Sequence, residues 1–213
     1  MRYLIALALL TTTFASSFGQ SPCQTIIGIT GGINPTTEHY QNLEVERAAT
    51  GPGTHFGVLL AQRLSPHLTL GMEPTFMRRQ LRYDPHFETT ASLRLTTFRF
   101  PVLVELRPTP SELPFYAALQ LGAAAGLGLR LERLEDGTFT SVPTPSREAP
   151  ESYNLLDVGL QYGLKVGYGT GDVEVFARAL RYDGFVDIAR GIRSRTSGLQ
   201  LSMGVAYRYA RRR

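Results

Sequence analysis

The amino-acid sequence predicts an all-β protein: an eight-stranded, antiparallel, up-and-down β-barrel that crosses a membrane and follows a cleaved signal peptide. Three observations predict it. From Phe115 to Glu132 the residues alternate strictly, with Phe115, Leu119, Leu121, Leu127 and Leu129 among an uncharged odd set. The even set, which includes Gln120, Gly122, Gly126, Gly128 and Arg130, is glycine-rich, small or polar. A period of two marks a strand, and this one is long for a soluble sheet but suited to a tilted membrane crossing. The N-terminus supplies the second observation: Arg2, an apolar run from Leu4 to Leu10, then small residues at Ser17 and Gly19, the pattern of a secretory signal. The third is that predicted connections alternate between long and short along the chain, as outer-membrane barrels require.

The signal occupies residues 1–19 and the barrel domain residues 20–213. Thr25 to Gly32 is a short strand, followed by an external loop at 33–52 with Asn34, Pro35, Gly51, Pro52 and Gly53 as breakers. Thr54 to Leu64 puts Phe56, Val58 and Leu60 on one face and Gly57, Ala61 and Arg63 on the other. After the Ser65-Pro66 turn, His67 to Met77 alternates Leu68, Leu70, Met72 and Phe76 against Thr69, Gly71, Glu73 and Thr75. Pro74 lies within that run and predicts a bend or bulge, since proline withholds a ladder donor.

Residues 78–90 read as a polar external loop. Ala91 to Arg107 follows, with Phe98, Phe100, Val102, Val104 and Leu106 outward and Arg99, Leu103 and Glu105 inward; a proline-rich turn at 108–114 leads into the long strand. Residues 133–153 form the longest loop. Asn154 to Tyr168 opposes Leu156, Leu160, Tyr162, Leu164, Val166 and Tyr168 to Asp157, Gly159, Gln161, Gly163, Lys165 and Gly167. The 169–172 segment is a hairpin turn, Val173 to Tyr182 a strand, 183–195 a loop and Thr196 to Tyr209 the last strand.

An eight-stranded barrel is filled by its own side chains, so inward charges must compensate one another. The inward set is Glu73, Arg99, Glu105, Arg130, Glu132, Asp157, Lys165, Glu174, Arg178 and Arg208. Pairing Glu105 with Tyr116 across the 108–114 turn would set Arg99 opposite Gly122 and near Glu73. Lys165 and Glu174 would meet across the 169–172 hairpin, and Arg130 and Glu132 would close the lumen beneath the longest loop. Phe115, Tyr168, Tyr207 and Tyr209 form an expected periplasmic aromatic girdle.

Composition excludes several classes. Net charge is +4, with three of the positive charges in the terminal Arg211, Arg212 and Arg213, which gives no basis for nucleic-acid binding. Cys23 is the sole cysteine, so no internal disulfide forms. His39, His55, His67 and His86 are scattered, with no metal-spaced cluster, cofactor loop or Ser-His-acid grouping on neighbouring strands; no catalytic residue, metal or cofactor is expected. Two alternatives stay open: a secreted calycin-like or lipocalin-like carrier, with the apolar face inward, and a narrow passive porin.

Four features resemble the PorT-like outer-membrane β-barrel proteins of Bacteroidota. They are the signal ending at Gln20, Thr97 to Leu106 with its Pro101, Ala177 to Ile188, and the closing Leu199 to Tyr209. The chain departs from that pattern in ending on three arginines instead of an aromatic residue. The resemblance implies a Gram-negative outer-membrane location, a bilayer and lipopolysaccharide environment and a monomeric barrel. It also implies a structural or partner-binding role through loops 33–52 and 133–153, with some members of the family in secretion or gliding machinery.

Overall fold

A computed structural model describes residues 24–41, 47–83, 91–108, 114–135, 138–141, 156–186 and 193–210. The expected signal at 1–19, Cys23, His86, the tail at 211–213 and residues 142–153 of the expected longest loop lie outside the described residues. Twelve strand segments run in chain order: β1 (Gln24–Ile33), β2 (Thr36–Gln41), β3 (Arg47–Gly51), β4 (Gly53–Arg63), β5 (Leu68–Met72) and β6 (Thr75–Tyr83). They continue as β7 (Ala91–Leu106), β8 (Phe115–Glu135), β9 (Thr138–Ser141), β10 (Leu156–Thr170), β11 (Val173–Gly184) and β12 (Arg193–Ala210).

They make eight staves, each antiparallel to the next, in the order β1, β4, β5 with β6, β7, β8, β10, β11 and β12, and β12 closes on β1. Paired residues can be followed around the wall from Ile27 through Leu60, Met72, Val102, Ala123, Leu160, Asp183 and Ser197 to Thr37. The path returns ten residues further along the first stave (27 to 37), which for eight strands means a tilt of about 40°.

The wall stands taller than the apolar alternation predicts. The 33–52 stretch is largely strand, not loop: β2 and β3 pair with each other, and β2 pairs with β12 in the register that β1 already follows. Asn34, Pro35 and Pro52 interrupt the ladder without shifting it. Likewise β6 runs to Tyr83, and β8 extends to Glu135, where β9 folds back on it. Above a membrane these strands need backbone pairing but no apolar face, so a hydrophobic period does not reveal them.

Pro74 breaks β5 from β6, but the pairing with β7 stays in step, Met72 with Val102 and Thr75 with Arg99. The predicted bend is an interruption without an inserted residue, and Met72 beside it is buried instead of outward. Two of the short turns are tight: the Leu64 amide donates to the Leu68 carbonyl at 2.9 Å, and Gly171 takes φ 55°, which favours glycine at that corner.

Candidate functional site

The exterior and interior of the wall have opposite chemistry. Ile27, Ile29, Phe56, Leu121, Leu164, Val166, Met203 and Val205 are exposed on the outside. Charged and amide side chains are buried inside. This polarity overturns the lipocalin-like alternative, whose apolar face would line the interior. Phe115, Tyr168, Tyr207 and Tyr209 stand exposed at the short-turn end, with the Phe115 and Tyr168 rings 4.5 Å apart. A second aromatic row, not foreseen in the sequence, crosses adjacent staves nearer the other end. Phe56 pairs with Phe76, and Phe76 with Phe98, the last two rings 5.1 Å apart.

The lumen holds three ion-pair layers. At the short-turn end, Glu105 accepts from Arg107 at 2.6 Å and from Lys165 at 3.2 Å, while Lys165 also reaches Glu174 at 2.8 Å. Arg107 bonds Glu174 at 3.3 Å, and the Tyr116 hydroxyl donates to Glu174. In the middle, Arg178 pairs with Glu73, which also accepts from Thr30 at 2.7 Å. Nearer the outside, Asp157 lies 3.1 Å from Arg99 and 3.7 Å from Arg79, and accepts from the Tyr182 hydroxyl at 2.7 Å. Arg99 also stacks 3.7 Å over the Tyr182 ring.

These partners differ from those expected. Glu105 stands opposite Gln120, not Tyr116, and Arg99 opposite Gly126, not Gly122. The β7–β8 ladder begins only at Leu106 with Leu119, so Phe115 to Ala118 are left to pair with β10. The four-residue offset hands Arg99 to Asp157 and leaves Glu73 to Arg178. Lys165 and Glu174 do meet as the hairpin geometry required. Arg107, Arg79, Tyr116 and Tyr182 were missed: the first lies at a strand end, the second in a stretch read as loop, and the tyrosines read as mere alternation members.

The inward glycines seat these rings. A Cβ on Gly159 would lie 2.7 Å from the Tyr182 hydroxyl, and Gly167 and Gly204 receive the rings of Tyr116 and Phe176 in the same way. A void of about 20 Å³ lies at the lower lumen beside Glu73, Glu105 and Lys165, room for about one water. Arg208 and Arg63 point inward at the short-turn mouth, half-buried. Arg63 bonds Gln24 at 3.0 Å, and neither arginine has a carboxylate within ion-pair distance among the described residues.

Two predicted lumen residues are not in the lumen. A bulge between Thr96 and Thr97 leaves Leu129 as an extra residue of β8: Thr97 faces Gly128, but Thr96 faces Arg130. One inserted residue exchanges the two faces of a strand. Beyond it Arg130 and Glu132 therefore share the outer face with Thr96 and Arg94 instead of closing the lumen. Glu132 lies beneath three guanidinium groups, Arg130 at 3.2 Å, Arg94 at 3.7 Å and Arg78 at 3.8 Å.

His55 bonds Ser202 at 2.9 Å inside the lumen, a contact that the scattered histidines did not suggest. The other ring nitrogen of His55 has no partner among the described residues, so the acid that orients a nucleophilic triad is missing there.

No protein-family model matches the sequence, and no curated protein matches it. Solved structures do. Neisserial surface protein A is 13% identical over 90% of this chain and 99% of its own, with a TM-score of 0.50. A major outer-membrane protein of Thermus thermophilus is 14% identical over 88% of this chain and 99% of its own, with a TM-score of 0.51. The chain has the fold of small outer-membrane β-barrels. Its apolar exterior belongs against lipid, and its closed wall leaves no edge unpaired there.

Proposed function

We propose that this barrel is a non-conducting pedestal, a structural or interaction protein that presents its outer hairpins to a partner. The observation that carries the reading is the filled lumen: three layers of ion pairs and aromatic rings seated on glycines, with a void of only about 20 Å³ beside the lower ion pairs. A permanent aqueous path needs a continuous opening, and eight strands enclose only enough room for side chains. The work then falls to the outer end. The β2–β3 hairpin and the β8–β9 extension rise above the apolar band, and such elements carry function on a rigid scaffold. They belong to the 33–52 and 133–153 stretches through which partner contact is proposed. The PorT-like resemblance at Thr97 to Leu106 fits a role beside other proteins of a secretion or gliding assembly, with the barrel itself monomeric.

Planar-bilayer recording tests the reading. The purified protein is expected to give no stable steps, and Arg99→Ala to give none either. Regular ion-selective steps that change with Arg99→Ala would favour the narrow-porin reading instead.

A further inference from the structure

We propose that Arg78 and Arg130, with Arg94 and Glu132 between them, form a binding site for phosphate ester groups, those of an anionic glycolipid in the outer leaflet. The inference rests on the outer-membrane placement but not on any protein partner. Four observations carry it.

The first is the bulge. Were Leu129 paired opposite Thr96 in an unbroken ladder, Arg130 and Glu132 would face the lumen; with Leu129 bulged out, they join Arg78 and Arg94 on the outer face. The second is register. Arg78, Thr96 and Arg130 lie on one rung across β6, β7 and β8, and Arg94 and Glu132 face each other two residues further out. The third is position. Arg78 is two residues outward from Phe76 on the same face, and Arg130 three residues outward from Leu127 across the bulge; Phe76, Phe98 and Leu127 share one rung. The arginines thus begin where the aromatic row ends, at the level of lipid headgroups.

The fourth is charge. Three guanidinium groups gather on one carboxylate, at 3.2 to 3.8 Å. The side chains of Arg78 and Arg130 are 57% and 59% exposed, so their outer donors face the headgroup layer. Guanidinium forks suit phosphate oxygens, which they bind in pairs. Glu132 holds the three side chains together when no phosphate is present. The apolar row directly beneath supplies a surface for acyl chains, which favours a lipid over a free ion.

Native mass spectrometry of the full-length mature protein in maltoside micelles tests the site, with diphosphoryl lipid A, its dephosphorylated form and inorganic phosphate as probes. Diphosphoryl lipid A is expected to bind the unaltered protein, with affinity at least ten-fold lower in the Arg78→Gln/Arg130→Gln double variant. Glu132→Gln, which removes the internal competitor for the guanidinium groups, is expected to bind it several-fold more tightly. Competition by millimolar inorganic phosphate would assign the site to the phosphate group alone; its failure to compete would assign it to the lipid. Equal binding by the unaltered and double-variant proteins, or by the phosphorylated and dephosphorylated lipids, would overturn the proposal. Heat-modifiable gel mobility is read on every variant. Loss of it in the unaltered protein would count against the membrane barrel itself, whereas intact mobility with equal binding would count against this site only.

Discussion

Glu174 and Glu132 are both carboxylates held by more than one cation, yet they belong to different physical worlds. Glu174 is fully buried at the short-turn end of the lumen and touches Lys165, Arg107 and Tyr116, at closer range than Glu132 has for two of its three partners. Glu132 sits on the outer face at the other end, beneath arginines of which two are largely open to their surroundings. Both carboxylates are themselves buried, Glu132 at 7% exposure, but their cations differ. Lys165 and Arg107 without Glu174 are left uncompensated in a low-dielectric interior, whereas Arg78 and Arg130 without Glu132 recover most of the loss through hydration. The same residue types therefore hold the barrel together at one end and remain available for exchange at the other.

The largest effect that would sharpen this contrast is at Glu174. Glu174→Gln strands Lys165 and Arg107 on Glu105 alone and is expected to destabilise the barrel by about 3–5 kcal/mol. The measurement is the urea midpoint in micelles. A loss under about 1 kcal/mol, the range of an exposed pair, would erase the distinction between the two ends. The double variant Glu174→Gln/Lys165→Met removes a charge of each sign and is expected to recover much of that loss. No recovery would show that packing, not charge, dominates the layer.

Inserting an alanine between Thr96 and Thr97, opposite Leu129, is expected to have an intermediate effect, about 1–3 kcal/mol, by removing the bulge and turning Arg130 and Glu132 toward the upper lumen. The same insertion should abolish binding of diphosphoryl lipid A. Binding that survived it would mean that the bulge does not build the rim. Smallest is Glu132→Gln, expected to shift stability by less than about 1 kcal/mol, because the Arg78 and Arg130 cations it leaves behind are exposed and are screened at high salt. A salt-independent loss as large as that at Glu174 would mean that Arg78 and Arg130 are not hydrated and would erase the contrast between the two ends.

Much of the barrel was legible before any coordinates. The alternation of Phe115 to Leu127 assigned every residue of that stretch to lipid or lumen correctly, because a strand's period is fixed by its pleat. The Lys165–Glu174 contact was equally legible, since a four-residue turn at 169–172 leaves little freedom of register. Arg99 was harder. Its inward direction follows from parity, but its partner depends on how far β7 slides against β8. The composition of the 108–114 turn does not encode that slide. Arg79 lay hidden because the outer parts of the wall have no apolar period to announce them.

By itself, then, the sequence determined the strand count, the facing of side chains up to the bulge, the aromatic rim at the short-turn end and the chemistry of the lumen. Each follows from local periodicity and from the demand that apolar and polar faces be kept apart. Only the tertiary structure decided which charges meet across the barrel, because a shear of ten residues over eight staves brings together groups as far apart in the chain as Glu73 and Arg178. Only the tertiary structure decided that Arg130 and Glu132 lie outside. A single unpaired residue, Leu129, is invisible to a period of two until its neighbour Thr96 shows where the ladder slips.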